Sequence, residues 1–381
     1  MPALQQKYQN WFSAAMILLV AFAVLLSCAP SKNMLENGTA GWITQTVPPA
    51  FWEAHLPVDH SPNNENALEL TVFFTNPYSA QAQLRQGGLD TLLIQAIDRA
   101  KFSLRMAMYN LSLENVADTL IRARQRGLQV RVVMESDAMD GKQPRRLMDN
   151  GISIVGDQLE SLMHNKYWMI DEAEVWTGSL NLTYTGTYDD HNNVLMLRNS
   201  YVVQNYLTDF EEMFTGKFGD AKRRNTPHPF IQTDDTKIET YFSPEDKPLS
   251  RLVTLVGGAQ KRVLFLAYSF TSDALAEVMI ERAEAGVEVR GVMESQQMDS
   301  NQGTEYERLR QAGLDVRLDG LEGQMHHKVI LVDGRMVVMG SYNFTNSAER
   351  YNEENLLIIH NEALAKIYED EFERIYARAI P

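Results

Sequence analysis

His164 and Lys166 stand two residues apart in HNKYWMID (164–171), with Asp171 five places further on, and HHKVILVD (326–333) repeats the three as His326, Lys328 and Asp333 in the second half of the chain. An imidazole can attack phosphorus or carry a proton near neutral pH, and an ammonium can neutralise phosphoryl oxygens. Residues two apart in a strand project from the same face, so each copy offers one imidazole and one ammonium together. Duplicated domains usually meet about a pseudo-two-fold axis. If the motif-bearing edges face each other, the pooled site holds two histidines and two lysines, an inventory that suits a phosphodiester. A neutral imidazole would attack phosphorus and an imidazolium would protonate the departing oxygen. Two close imidazoles resist double protonation, so their titrations should be coupled and the pH profile bell-shaped.

GSLNLT (178–183) and GSYNFT (340–345) follow the two motifs, and Ser179, Asn181, Ser341 and Asn343 are candidate donors to phosphate oxygens. Asp171 and Asp333 fall near strand ends and are expected to orient backbone or a neighbour rather than attack. A lone His-x-Lys is ordinary surface, and a Gly-Ser pair is usually a turn. Joint recurrence at fixed offsets argues otherwise, because repetition of a scaffold alone would preserve apolar pattern rather than polar side chains. Tyr167, Trp168 and Tyr342 are candidates for lining the cleft, although such aromatics are more often core.

The repetition extends well beyond these motifs. VMESDAMD (133–140) matches VMESQQMD (292–299), and HNNVLML (191–197) matches EENLLII (353–359). Within the first copy, Leu89, Leu92, Leu93, Ala96, Ile97 and Ala100 follow the spacing of an amphipathic helix. SLRMAMY (103–109) reads as a strand, Ser112 as the cap of a helix running to Arg126, Gly127 as its C-terminal left-handed residue, and LQVRVVM (128–134) as the next strand. RVLFLAYSF, a helix from about Ser272 stopped by Gly286, and VEVRGVM repeat that order. Such alternation predicts an α/β fold of two similar, mostly parallel sheets flanked by helices and packed about a pseudo-two-fold axis.

These residues resemble the duplicated HxKxxxxD motifs of the phospholipase D superfamily, and the likeness runs from the first strand near Leu68 to the C-terminal helix. The second copy is especially similar to the small bacterial phosphodiesterase and endonuclease branch and to the cardiolipin hydrolase branch. The resemblance implies that His164 is the nucleophile, forming a phosphohistidine. His326 is then the acid that protonates the leaving alcohol and later activates water, while Lys166, Lys328, Asn181 and Asn343 hold the phosphate. It implies no metal and no cofactor, and a site completed within one chain without an obligate protein partner. Glu354, downstream of His326, matches the acid that supports a catalytic histidine in relatives, whereas the residue at the same offset from His164 is Asn192. From that asymmetry Glu354 is expected to keep His326 protonated while His164 stays neutral.

The chain has 381 residues, 44% of them hydrophobic, enough for a large core. Its formal net charge of −15 argues against an overall grip on nucleic acid, although a local basic cleft remains compatible with it. Trp11–Ser27 is an uncharged apolar run leading to Cys28, the chain's one cysteine, and LLSC resembles a lipoprotein processing site. We therefore expect residues 1–28 to be a signal, lipoprotein or membrane-anchor segment with lipid on Cys28, and residues 29–65 a tether. Residues 66–220 would form the first phospholipase D-like domain, 221–237 a linker and 238–381 the second domain. The expected location is extracytoplasmic, membrane-anchored or secreted. The expected substrate is a phospholipid head-group diester. A nuclease acting on single-stranded nucleic acid, a phosphatidyl transferase and a phosphate-binding module without turnover are the rival readings.

Overall fold

Alternating apolar residues in the first half build one eight-stranded sheet and those of the second half build another. A computed structural model describes residues 50–56 and 67–381, so the expected anchor with Cys28 and most of the expected tether lie outside the described residues. The first sheet contains β1 (Phe51–His55), β2 (Glu69–Thr75), β3 (Ser103–Met108), β4 (Gln129–Met134), β5 (Ser153–Gly156), β6 (Lys166–Ile170), β7 (Glu174–Gly178) and β8 (Asn193–Arg198). Their order across the sheet is β1-β2-β8-β7-β6-β3-β4-β5. The second contains β9 (Phe230–Gln232), β10 (Lys237–Ser243), β11 (Arg262–Ala267), β12 (Glu288–Met293), β13 (Asp315–Leu318), β14 (Lys328–Val332), β15 (Met336–Gly340) and β16 (Glu354–His360). Its order is β13-β12-β11-β14-β15-β16-β10-β9, the same topology read from the other edge.

The duplicated α/β architecture is as expected, but the balance of strand directions is not. In the first sheet only β3–β4 and β4–β5 pair in parallel, the other five neighbours being antiparallel. The second sheet has the same balance, with β11–β12 and β12–β13 parallel. The strand-helix-strand units detected in sequence are those parallel pairs. The motif-bearing strands return through hairpins, which need no crossover helix. Two expected boundaries also carry structure: β1 lies within the expected tether and β9 within the expected linker.

The helices form where apolar spacing, caps and glycine stops predict, at Leu89–Arg99, Glu114–Gln125 and Asp273–Glu284. Leu113 rather than Ser112 occupies the cap position of the second of these, with no side-chain cap. Gly127 and Gly286 are left-handed, with φ of 97° and 87°. Helices Ser200–Phe214 and Glu362–Tyr376 close the two halves and are capped by Asn199 and Asn361, whose side chains accept first-turn N–H groups. Their buried faces, including Tyr206 and Phe210 in one and Tyr368 and Phe372 in the other, join Val72 and Leu195 of the first sheet and Leu264 and Leu357 of the second in one shared core. Each such side chain contributes about 1.5–3 kcal/mol on burial. Separate apolar clusters cover the outer face of each sheet. The two halves therefore lie within one compact unit, Val47–Pro381.

Candidate active site

The chain enters each His-x-Lys segment under the control of a carboxylate from the neighbouring strand end. Glu135, just past β4, accepts from the backbone N–H of Met163 at 2.8 Å, and Glu294, just past β12, accepts from Met325 at 2.5 Å. Both glutamates are buried, and burial raises their pKa values, that of Glu294 to about 7. They belong to the repeated VMES motif, whose task the repetition alone does not disclose.

The halves are stitched together at the motifs themselves. The N–H of His164 donates to the carbonyl of Glu353, and the N–H of His326 donates to the carbonyl of His191, each at 2.9 Å. His326 is the counterpart of His164 in the repeat and Glu353 that of His191, so these are the same bond made twice about a pseudo-two-fold axis. Side chains cross in the same way. His164 Nδ1 lies 2.9 and 2.8 Å from the two carboxylate oxygens of Glu354, and His326 Nδ1 lies 2.9 Å from Asn192 Oδ1. The expected pairing of Glu354 with His326 is therefore corrected. The offset from His326 to Glu354 runs within one half, whereas the fold delivers that carboxylate to the histidine of the other half.

These partners fix the imidazole tautomers. A carboxylate can only accept, so Nδ1 of His164 carries a proton and Nε2 is left for chemistry. Asn192 donates its Nδ2 to the carbonyl of Gly186 at 2.8 Å, which turns its Oδ1 toward His326 and gives that ring the same tautomer. Ser179 supports this arrangement: its hydroxyl donates to Asn192 Oδ1 at 2.8 Å and accepts from the N–H of Asn193 at 3.1 Å. Ser341 accepts from the N–H of Asn355 at 3.0 Å. Both serines are fully buried and serve neighbouring backbone and asparagine side chains, unlike the phosphate donors expected. Gly178 precedes Ser179 because β8 passes too close for a side chain, a Cβ there falling 2.1 Å from the carbonyl oxygen of Asn193. Asn181 and Asn343 differ from the serines: their amide oxygens are buried without a hydrogen-bond partner among the described residues.

Lys166 and Lys328 are buried, each donating to the carbonyl of the histidine two residues before it at 2.7 and 2.8 Å. Two tyrosines that the sequence reading did not single out complete the walls. Lys166 Nζ sits 4.9 Å from the ring centre of Tyr109 and Lys328 Nζ 4.5 Å from that of Tyr268. The same rings meet His164 and His326 edge-on at 5.0 and 4.6 Å. Their signal was available, since the strand ends RMAMY (105–109) and LFLAY (264–268) are counterparts in the repeat. Tyr167, Trp168 and Tyr342 are buried core, the more common place for such aromatics, and do not line the cleft.

Burial dominates the electrostatics. It lowers His164 to about 4 against the opposing pull of Glu354, and lowers Lys166 to about 7. Burial also holds His326 well below its ordinary value, helped by the charges of Lys328, Lys166 and His164, and Lys328 falls with it through burial and the charge of Lys166. The four groups thus act on one another across the halves, and Glu354 is bonded to one of them, His164. An anion placed among them would raise the proton affinity of all four.

Asp171 and Asp333 lie at the opposite end of the motif strands, about 17 Å from the lysines for five extended residues. Each binds a run of backbone N–H groups: Asp171 takes those of Lys101, Phe102 and Ser103, and Asp333 those of Gln260, Lys261 and Arg262. Burial raises their pKa values, but these donors outweigh it and leave both carboxyls below the usual range. They anchor the loops before β3 and β11, the orienting role expected of them, and touch no group of the site.

A further buried charge supports the first motif. Lys222, in the expected linker, is fully enclosed and bonds Asp209, Glu245 at 2.8 Å and Glu353 at 2.9 Å. Glu353 is the residue whose carbonyl receives the N–H of His164.

Two exchanged histidine-partner pairs, each with a buried lysine two residues on, form one site shared by the two halves of a duplicated α/β fold. The chain belongs to the phospholipase D superfamily: the family model described as "Cardiolipin synthase, PLD-like domain" matches it twice, over residues 93–214 and 252–376. It is 36% identical to the mitochondrial cardiolipin hydrolase of Xenopus tropicalis over 136 residues, 36% of this chain and 64% of that protein. It is 31% identical to a phospholipase D of Rickettsia prowazekii (strain Madrid E) over 133 residues, 35% of this chain and 64% of that protein. The chain thus spans less than two thirds of the length of these two relatives. The crystal structure of phosphatidylserine synthase from Haemophilus influenzae Rd KW20 shares the fold, with a TM-score of 0.60 at 15% identity over 76% of this chain and 84% of that one.

Proposed function

We propose that this chain hydrolyses phosphodiesters by a phosphohistidine mechanism and that its substrate is a phospholipid head-group diester. The observation that carries the reading is the crossed pairing, which frees both Nε2 atoms beside two lysines at the junction of the halves. His164 Nε2 forms a bond to phosphorus while the bond to the head-group oxygen breaks. The Nδ1–H donated to Glu354 lets that carboxylate stabilise the positive charge appearing on the ring. His326, protonated at Nε2 once the phosphate anion raises its proton affinity, gives that proton to the leaving alcohol and returns to the neutral ring. In the second step it takes a proton from water, whose oxygen bonds phosphorus as the phosphorus–nitrogen bond breaks, leaving a phosphatidic acid and free His164. Lys166 and Lys328 balance charge on the phosphoryl oxygens, and the Asn181 and Asn343 amides donate to them.

This assignment turns the expected use of Glu354 around, from holding the acid protonated to supporting the nucleophile. Asn192, a neutral acceptor, holds the Nδ1 proton of His326 without stabilising a charge on the ring, so Nε2 can both give and take a proton. The lipid substrate is supported by the names of the relatives and by the net charge of −15, which disfavours a nucleic acid polyanion. Trp11–Ser27 and Cys28 support presentation at a membrane outside the cytoplasm. The test is the full chain with chelator present, assayed in parallel on mixed phospholipid vesicles and single-stranded DNA, with H164A as the blank. Head-group release lost in H164A is the expected result. Cutting of DNA alone moves the chain to a nuclease of the same mechanism, and no turnover of either overturns the proposal.

A further inference from the structure

The exposed large apolar side chains are unevenly placed. The site lies where β3, β4 and β11, β12 end, at the edge carrying Tyr109, Glu135, Tyr268 and Glu294. Leu159, 45% exposed, is in the loop between β5 and His164, and Tyr351, 55% exposed, stands three residues before Glu354. Leu84, 68% exposed, follows the short helix Ala80–Gln83 at the same end of β2, and Tyr184 begins the helix that follows Asn181. Ile380 pairs with Leu318 at the end of β13. By contrast, exposed Phe102 lies at the far edge, where Asp171 binds its N–H, and exposed Met148, on the helix Lys142–Asp149, and Phe230, on β9, fall outside the set. Isolated exposed apolar residues need no explanation, but a set gathered around one opening does.

Cations accompany these residues. The Arg378 guanidinium lies 4.6 Å from the ring centre of Tyr78, and that of Arg85 lies 5.8 Å from the ring centre of Tyr184 while paired with Asp189 at 3.3 Å. Arg350 and Lys247 line a cavity of about 680 Å³ together with Tyr351. A second cavity, of about 830 Å³, is its counterpart on the other side and is lined by Tyr78, Asp190 and Gln324, two residues before His326. Aromatic and aliphatic side chains interleaved with Arg and Lys match the head-group zone of a bilayer, where rings sit at the interface and cations meet phosphates.

We propose that this face docks on a phospholipid bilayer. Leu84 and Tyr184 enter the interface on one side of the mouth and Leu159 and Tyr351 on the other, while Arg350 and Arg378 contact lipid phosphates. The proposal rests on the lipid reading of the site and adds how the site reaches its substrate. With a net charge of −15 the molecule gains little from long-range attraction to a bilayer, so local insertion must supply the contact.

The experiment uses the full chain and two variants, L84E/Y184E and L159E/Y351E, on vesicles of phosphatidylcholine and phosphatidylglycerol and on the soluble diester bis(p-nitrophenyl) phosphate. Placing charge where apolar surface inserts should lower the vesicle rate by about tenfold or more in each variant. The rate on the soluble diester should stay unchanged, and F102E should alter neither. A vesicle rate unaffected in both variants overturns the proposal, as does a parallel fall on both substrates. Leu84→Trp provides a measurement independent of turnover: its emission should be quenched by vesicles of brominated phosphatidylcholine beyond that of the parent chain, and equal quenching overturns the proposal. Turnover of the soluble diester without any on vesicles, with Leu84→Trp still quenched, would remove the lipid substrate and leave the docking face standing.

Discussion

Replacing Glu354 by glutamine keeps the shape of the residue and the acceptor for His164 Nδ1 but removes its charge. The two carboxylate oxygens lie 2.9 and 2.8 Å from Nδ1, and the side chain is fully buried, so solvent does little to screen the pair. With charge centres about 4 Å apart and an effective dielectric near 20, the attraction to a fully formed imidazolium is about 4 kcal/mol. The glutamine oxygen still accepts a neutral hydrogen bond worth about 1 kcal/mol, and the ring carries only part of its charge in the transition state. The net loss is about 2 kcal/mol, or a fall of about 30-fold in the rate of phosphohistidine formation. Rapid-quench measurement of the phosphorylated intermediate across pH 5 to 8 reads that step directly. Asn192→Ala should slow both formation and hydrolysis of the intermediate, because it loosens His326, which acts in each step. A fall of less than about threefold in E354Q at every pH, or an equal effect on both steps, would refute the assignment of Glu354 to the nucleophile.

The depressed proton affinity of Lys166 bears on the pH profile. A lysine whose pKa is lowered to about 7 is charged below that value and neutral above it, so kcat/KM for an anionic diester should fall as pH rises through about 7. A profile flat from pH 6 to 9 would count against a charged Lys166 in the site. Lys222→Met removes the one ammonium bonded to Asp209, Glu245 and Glu353 and should cost about 3–5 kcal/mol, seen as a large drop in melting temperature with loss of activity. Asp171→Asn weakens the anchor for three backbone N–H groups and should cost about 1.5–3 kcal/mol in denaturant titration while leaving kcat within about twofold at temperatures where the chain stays folded. A large kcat effect there would mean that the aspartate reaches the chemistry.

Polar side chains that recur at fixed offsets disclosed the duplication, the two histidines and lysines, and the backbone role of Asp171 and Asp333. Apolar spacing disclosed Leu89–Arg99, and the order of the repeat with a stop at Gly286 disclosed Asp273–Glu284. Strand direction was not legible: Lys166–Ile170 and Lys328–Val332 are apolar runs that read alike whether parallel or antiparallel, and hairpin geometry decides. Partnership across the axis was hidden for a different reason. Glu354 and His326 are close in sequence, but the residue that Glu354 touches lies 190 positions away, and periodicity within a half carries no information about which half supplies the neighbour. Ser179 and Ser341 were misplaced because a Gly-Ser turn can aim its hydroxyl either way. Here the strand passing against Gly178 and Gly340 commits it inward.

The exchange of partners between halves has an evolutionary consequence. In an assembly of two identical chains, any change at the position that holds a catalytic histidine is made at both histidines at once, so neither can be tuned without altering the other. Joining the copies in one polypeptide lifts that constraint. The positions now occupied by Glu354 and Asn192 are equivalent in the fold yet hold a charged and a neutral acceptor, each serving one ring. Fusion thus lets two equivalent halves specialise by a single substitution. Restoring equality, with glutamate at both positions or asparagine at both, would recreate the compromise that a symmetric dimer must accept.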